Sequence, residues 1–343
     1  MACIIRGQRA LPTQIQHLNR QVPILRYLST SPQSGKPSPP TTVTVPPKTD
    51  LNAPISTLPI ELITPPPVAA SAGLADKLKR YVEFGRTYLT FYKTGLKNVY
   101  RNYRASLPLR SQLGLPAYIP ISPPRNVSDS EPSSKSKYSQ LGRGQFQLVR
   151  RSARDVRRMI PFTLILIVCG EFTPLIVPIF GSAITPATCR VPSQVEKERV
   201  GAAKRKIAAL RSAGLPVSVD AEQMGVLGKF ADPAWVAHAD AAEVLRACAV
   251  FGLVKSHDKT GGSLLTGLIY RPRLVRYAQY LAIDDAMVRA GGVAAMNATE
   301  VRIAVEERGG VDVSGAFDRK QAENLERRWL EQWLAARKNV QQA

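Results

Sequence analysis

Two apolar patterns organise the chain. From Leu74 onward, Leu78, Tyr81, Gly85, Tyr88, Tyr92, Leu96, Val99 and Tyr103 follow at spacings of three and four. This is the stripe of an amphipathic helix, and it predicts one over residues 71–105. Lys77, Lys79, Arg80, Arg86, Lys93, Lys97, Arg101 and Arg104 fill much of the remaining surface. A basic helix rich in tyrosine suits a membrane interface, where the rings keep their hydroxyls wet, and it equally suits packing of the stripe on a second helix. The other pattern is the continuous apolar run Ile160–Ile184. Roughly 20 apolar residues at 1.5 Å rise cover a hydrocarbon core, so the run predicts a transmembrane helix over 160–184. Glu171 is its one charge, with Pro174 and Pro178 one turn apart beyond it. An ionisable group at that depth costs at least ~2.5 kcal/mol on insertion scales and calls for a partner or an ion path. The prolines free carbonyls that water or a cation could use.

After residue 190 the pattern becomes a succession of helices with their own start and stop signals. Ser193 with Glu196 reads as a capping box opening a helix that ends near Gly214 and Pro216. Asp240 with Glu243 opens a second, closed at Gly252. A third starts near Pro272 and ends before Gly291 and Gly292, and Asn297 with Glu300 opens a fourth, closed by Gly309 and Gly310. The last, from about Asp318 to Lys338, is expected to bury Leu325, Trp329, Leu330, Trp333 and Leu334. No alternating strand pattern competes. The predicted fold class is all-α, a single transmembrane helix followed by a multi-helix domain over 190–343.

Proline sets the punctuation before the apolar run. Between residues 29 and 70 prolines crowd too closely for a packed core, which predicts a disordered, extended tether. Residues 106–137, with Pro108, Pro116, Pro120, Pro123 and Pro124, read as a second linker, and 138–159 as a short basic helix entering the membrane. Arg143, Arg150, Arg151, Arg154, Arg157 and Arg158 on it are expected to meet phosphates of anionic lipids. At the start of the chain there is no Asp or Glu before Asp50, while Arg6, Arg9, Arg20 and Arg26 recur among apolar residues. Residues 1–28 therefore read as a mitochondrial presequence, cleaved near Ser29.

Charge sharpens this division. The net charge is +21. Up to Met159 there are 24 Lys and Arg against 7 Asp and Glu, and from Arg190 onward 23 against 18, so the excess belongs to the N-terminal half. Flanking charge leaves membrane orientation undecided, with six Lys and Arg over 141–159 and six over 185–206. Cys3, Cys169, Cys189 and Cys248 are scattered, which indicates neither a disulfide framework nor a zinc site. The three histidines have no nucleophile or metal-ligand spacing near them. The expectation is a non-enzyme without cofactor or metal, and nothing in the sequence identifies a small-molecule substrate. For nucleic acid, Lys204, Arg205 and Lys206 and the cluster Arg271, Arg273 and Arg276 are the candidate phosphate contacts.

Asp284-Asp285, Met287-Val288, Gly292-Val293, Met296, Asn297, Glu300, Val301, Ala304, Arg308 and Gly309, with Cys248 and Gly252 upstream and Trp333 and Leu334 downstream, resemble the LETM family, the leucine-zipper and EF-hand-containing transmembrane proteins. The resemblance extends over about Arg150 to Ala336, including Glu171 and the prolines of the apolar run. It implies a 14-3-3-like ribosome-binding domain facing the matrix, a single span of the mitochondrial inner membrane, and the mitochondrial ribosome as partner. It also implies, as the alternative, a part in potassium/proton or calcium/proton exchange through Glu171, which with one span would need a homo-oligomer. No Asp-x-Asp-x-Asp-Gly calcium loop occurs, so calcium sensing is not expected.

Overall fold

Residues 45–62, 65–66, 73–124, 138, 140–169, 185–212, 221–255, 265–311 and 318–342 are described by the structure, a computed structural model. All of them lie in the unit Thr41–Ala343. Among these residues the regular structure is entirely helical. The helices are α1 (Leu74–Gln112), α2 (Arg143–Cys169), α3 (Pro192–Arg211), α4 (Ala221–Phe230), α5 (Pro233–His238), α6 (Ala241–Val250), α7 (Arg271–Gly291), α8 (Ala298–Glu307) and α9 (Arg319–Gln342). The expected presequence and the second half of the apolar run, with Glu171, Pro174 and Pro178, lie outside the described residues.

The N-terminal half of α2 runs through the core. Phe146, Leu148, Val149 and Ala153 are fully buried, joined by Leu274 and Leu281 of α7, Val301 and Ala304 of α8, and Trp329, Leu330 and Trp333 of α9. Each large apolar side chain enclosed this way contributes about 1.5–3 kcal/mol. The two tryptophans stack with ring centroids 5.9 Å apart. α4 and α5 were not legible as separate helices. Pro233 occupies the first turn of α5, and Asp232 caps it by accepting from the Ala234 amide at 3.1 Å.

Several local expectations are corrected. Of the segment expected as an unpacked tether, the described part 45–62 straps the body. Leu51, Ala53 and Thr57 are buried, and the Asn52 side chain bridges to the turn before α8, donating to the Ala295 carbonyl at 3.2 Å and accepting from the Asn297 amide at 2.8 Å. The strap lies so close to the start of α2 that a Cβ at Gly142 would fall 2.0 Å from the Lys48 carbonyl oxygen, and one at Gly144 2.4 Å from that of Asn52. Proline removes donors but leaves carbonyls, and these accept from the body, as Pro46 does from Gln145 at 2.8 Å. α1 runs past residue 105 and through Pro108 into the expected linker. Buried Arg110 then ties the following loop by donating to the carbonyls of Pro116, Ile119 and Ile121. α3 opens at Pro192, where Gln194 and not Glu196 bonds the capping amide, that of Val191, at 3.3 Å.

The transmembrane expectation is corrected as well. Ile160 to Cys169 form the last turns of α2, a helix whose first half carries arginines into the protein core. Phe162 is buried against Tyr92 of α1, with ring centroids 6.2 Å apart. Among the described residues no helix is long and apolar enough to cross a membrane. A single-pass anchor is therefore not retained. The apolar run had a composition suited to hydrocarbon, but its first turns form one side of a helix pair.

Candidate functional site

α1 and α2 pair in opposite directions: Tyr92 meets Phe162, while Val99 and Tyr103 share a groove with Val156 and Ile160. Phe91, Tyr92, Phe162, Cys189 and Val191 form a second small core that fastens the pair. A Cβ at Gly95 would meet the Cys189 sulfur at 2.7 Å, so glycine permits this close approach. Of the two alternatives read from the α1 stripe, packing on a second helix is seen, and only in one half. Its later part packs, and its first part does not: Leu74 is 87 % exposed, Leu78 65 % and Tyr81 77 %. On α2 the matching end leaves Ile160, Leu164, Ile167 and Val168 exposed. Each set falls on one helix face by its spacing, so each makes a contiguous apolar stripe. Around the α1 stripe stand Lys77, Lys79, Arg86, Lys93 and Lys97, all exposed, and the whole of α1 has nine Lys and Arg against Asp76 and Glu83.

Between the helices lies an apolar groove of about 430 Å³. Val99, Tyr100 and Tyr103 form one wall, and Val156, Met159, Ile160, Thr163 and Leu164 the other. The Tyr103 hydroxyl donates to the Ala117 carbonyl, closing the end nearest the body with the loop after α1. Arg157 stands one turn before Ile160 and donates to Ser122 of that loop at 2.9 Å.

The other arginines expected at lipid phosphates divide sharply. Arg143, Arg150 and Arg151 are turned inward. Arg143 reaches Asp284 at 2.9 Å and Glu300 at 3.0 Å, Arg151 takes Glu300 at 2.7 Å, and Arg150 takes Glu307 at 2.7 Å while lying 3.3 Å over the Tyr280 ring. Arg308 closes the network at 2.7 Å from both Asp284 and Asp285, Trp333 donates to Asp285, and Arg337 forms an ion pair with it at 3.1 Å. Burial would raise the Asp284 carboxyl, yet Arg143 and Arg308 hold it well below the usual carboxylate range. The same contest holds Glu307 at about 2, where Arg150 and Arg154 outweigh burial. Glu300, expected to cap α8, instead faces the core, and the Asn297 side chain makes no cap bond. The spacing of Arg143, Gln147 and Arg151 by fours was the available signal, since it places three polar side chains on one face beside Phe146 and Val149.

The expected nucleic-acid contacts are also dispersed. Lys206 is buried and donates to the Glu306 carbonyl, while Lys204 and Arg205 are exposed. Arg271 caps the end of α5, donating at 2.6 Å to the carbonyls of Val236, Ala237 and Ala239. Arg273 and Arg276 remain on the surface, near enough to Arg157 of α2 for their like charges to disfavour its charged form after burial does. Cys248 bonds the Tyr270 carbonyl at 3.7 Å, Gly252, Gly292 and Gly309 adopt positive φ at chain reversals, and Val293 and Leu334 are buried. Among the described residues no group of three or more His, Cys, Asp or Glu could hold a metal ion.

Burial pushes the Lys206 ammonium down to about 8 from an ordinary 10.5. A lysine with a depressed value costs stability while charged, so this cost is present at neutral pH and disappears between about pH 8 and 10.5. Lys206→Met is expected to stabilise the protein by up to ~3 kcal/mol at pH 7. The difference between variant and parent in urea midpoint should shrink toward zero by pH 10.5. A pH-independent difference would refute the assignment.

A helix pair that is rooted in a helical body held by buried ion pairs and leaves apolar side chains uncovered at its other end defines the class: an all-helical protein built around an α1–α2 arm. The family model of the pentamidine resistance factor domain matches residues 76–290, and the chain belongs to that family. The match runs from the first turn of α1 to the end of α7, so it takes in the arm and much of the body. No curated protein and no solved structure matches the chain. The LETM resemblance is overturned by this membership, and with it go the 14-3-3-like domain and the span that it implied. The residues that suggested it are buried acids, their arginine partners and glycines at reversals, which serve packing in this fold.

Proposed function

We propose that this is a mitochondrial protein that docks on an anionic membrane surface through the α1–α2 arm, without crossing the bilayer. The observation that carries the reading is the pair of uncovered apolar stripes at one end of the arm, bordered on α1 by lysines and arginines. Side chains of this kind bury their apolar face at the boundary of headgroups and acyl chains, and each nearby Lys or Arg adds about 1 kcal/mol at an anionic surface. Tyr81, exposed on the same stripe, suits the same level, with an apolar ring and a wet hydroxyl. The acid-free, basic N-terminal region and the family membership support the mitochondrial assignment. Ribosome binding and cation exchange lose the resemblance on which they rested. Of the six basic candidates for the ribosome, Lys206 and Arg271 are committed to backbone carbonyls inside this chain.

Cosedimentation with vesicles tests the reading. The protein is expected to pellet with vesicles containing phosphatidylglycerol and not with pure phosphatidylcholine, and binding should weaken, but persist in part, as salt rises. Equal binding to both, or to neither, would refute it. Self-association without lipid binding would instead assign the stripes to a second copy.

A further inference from the structure

We propose that the α1–α2 groove and the arginines at its foot form a binding site for a single anionic phospholipid, with the phosphate on Arg157, Arg273 and Arg276 and an acyl chain along the groove. The inference rests on the membrane-docking reading and adds to it a specific ligand.

The arginines at this place differ from those of the buried ion-pair network. Arg143, Arg150, Arg151, Arg308 and Arg327 each meet a carboxylate. Arg157 donates only to neutral oxygens, the Ala153 carbonyl at 3.4 Å and the Ser122 hydroxyl at 2.9 Å, and Arg276 to the Pro272 carbonyl at 3.3 Å. No described carboxylate pairs with Arg157, Arg273 or Arg276. Two elements thus bring three guanidinium groups together without a counter-charge, α2 supplying one and α7 two. Burial and then Arg276 and Arg273 disfavour the charged form of Arg157. An anion among them relieves that repulsion, and a guanidinium fork matches two phosphate oxygens at once.

The groove tells which phosphate. It runs from Val156, the chain neighbour of Arg157, past Ile160 to Leu164, with Val99, Tyr100 and Tyr103 opposite and no charged side chain in its lining. Its volume of about 430 Å³ lies within the range of small-molecule sites. Beyond Leu164 the same face of α2 continues through Ile167 and Val168, the exposed end of the arm. A lipid with its phosphate at Arg157 and its chain toward Ile167 has the direction of a bilayer lipid when the arm enters the membrane tip first. Free phosphate would satisfy the arginines and leave the groove without use.

Isothermal titration of the full chain with dioctanoyl phosphatidic acid, kept below its micellar concentration, reads the site without a membrane. Saturable binding of one lipid per chain is expected, at least tenfold weaker in the triple variant Arg157→Gln/Arg273→Gln/Arg276→Gln and at least tenfold weaker for sn-glycerol 3-phosphate. Thermal melting of the triple variant should match the parent, since Arg273 and Arg276 are exposed and Arg157 is bonded only to neutral oxygens. Equal affinity for glycerol phosphate would overturn the groove's part, and unchanged lipid affinity in the triple variant would overturn the arginines' part. Absence of lipid binding in a chain that still pellets with anionic vesicles would overturn the site and leave membrane docking standing. Lipid binding in a chain that pellets with no vesicle would sink the docking reading alone.

Discussion

Arg308→Met should destabilise the protein by about 3–5 kcal/mol, the usual cost of removing one member of a fully buried ion pair. Arg308 is completely enclosed and lies 2.7 Å from oxygens of both Asp284 and Asp285. Methionine fills most of the space but leaves two carboxylates short of a partner. Arg143 and Gln147 still serve Asp284, and Trp333 and Arg337 still serve Asp285, so complete unfolding is not required. Natural domains have only about 5–15 kcal/mol in total, so a loss of this size should move the urea midpoint far to lower concentration. The parent and variant should show equal slopes. A shift worth less than about 1 kcal/mol would mean that water reaches the network in solution and that its charges are not desolvated. The prediction separates the body from the tip of the arm: the network joins α7, α8 and α9 to the first half of α2 and leaves out the exposed end from Ile160 to Val168, so vesicle binding by the folded fraction should be unaffected.

Leu164→Glu combined with Ile167→Glu should reduce affinity for anionic vesicles more than 100-fold. Leu164 is 60 % exposed and Ile167 72 %, so neither change should disturb the core, and thermal melting should stay within a few degrees of the parent. Each large apolar side chain moved out of water is worth about 1.5–3 kcal/mol, and two such losses amount to roughly a hundredfold or more in affinity. The added negative charges are repelled by the same surface, which deepens the effect. Cosedimentation at fixed ionic strength measures it. Retention of parent affinity would show that the apolar end of the arm does not enter the lipid, while a similar loss on neutral and anionic vesicles would show that charge plays no part. Leu78→Glu, on the uncovered stripe of α1, is expected to act in the same direction.

Helices with strong local signals were readable from the chain. The stripe from Leu74 needed only spacing, and the reversals at Gly252, Gly292 and Gly309 needed only a residue free to take positive φ, as they do. The buried ion pairs of α2 were not readable, because their members come from segments more than a hundred residues apart, as Arg143 and Asp284 do. A basic helix that enters the core has the same composition as one that lies on lipid. Arg143 and Arg157 occupy the same helix, yet one is fully enclosed and the other exposed. Proline density likewise forecast an extended segment over 29–70, but extension says nothing about packing. The glycines at 142 and 144 admit the strap, and their meaning appears only once Lys48 and Asn52 lie against them.

Local patterning therefore determined the helical class, the basic character of α1 and the reversals, since each depends on backbone preference or periodicity within a few residues. Which part of an apolar stripe is covered depends on the length and direction of its partner. α2 covers α1 from Phe91 toward Leu109, along its own course from Arg143 to Phe162, and leaves Leu74 to Tyr81 open. The tertiary structure likewise decided which arginines find carboxylates and which are left facing one another, because burial and pairing are properties of position in space and not of residue type.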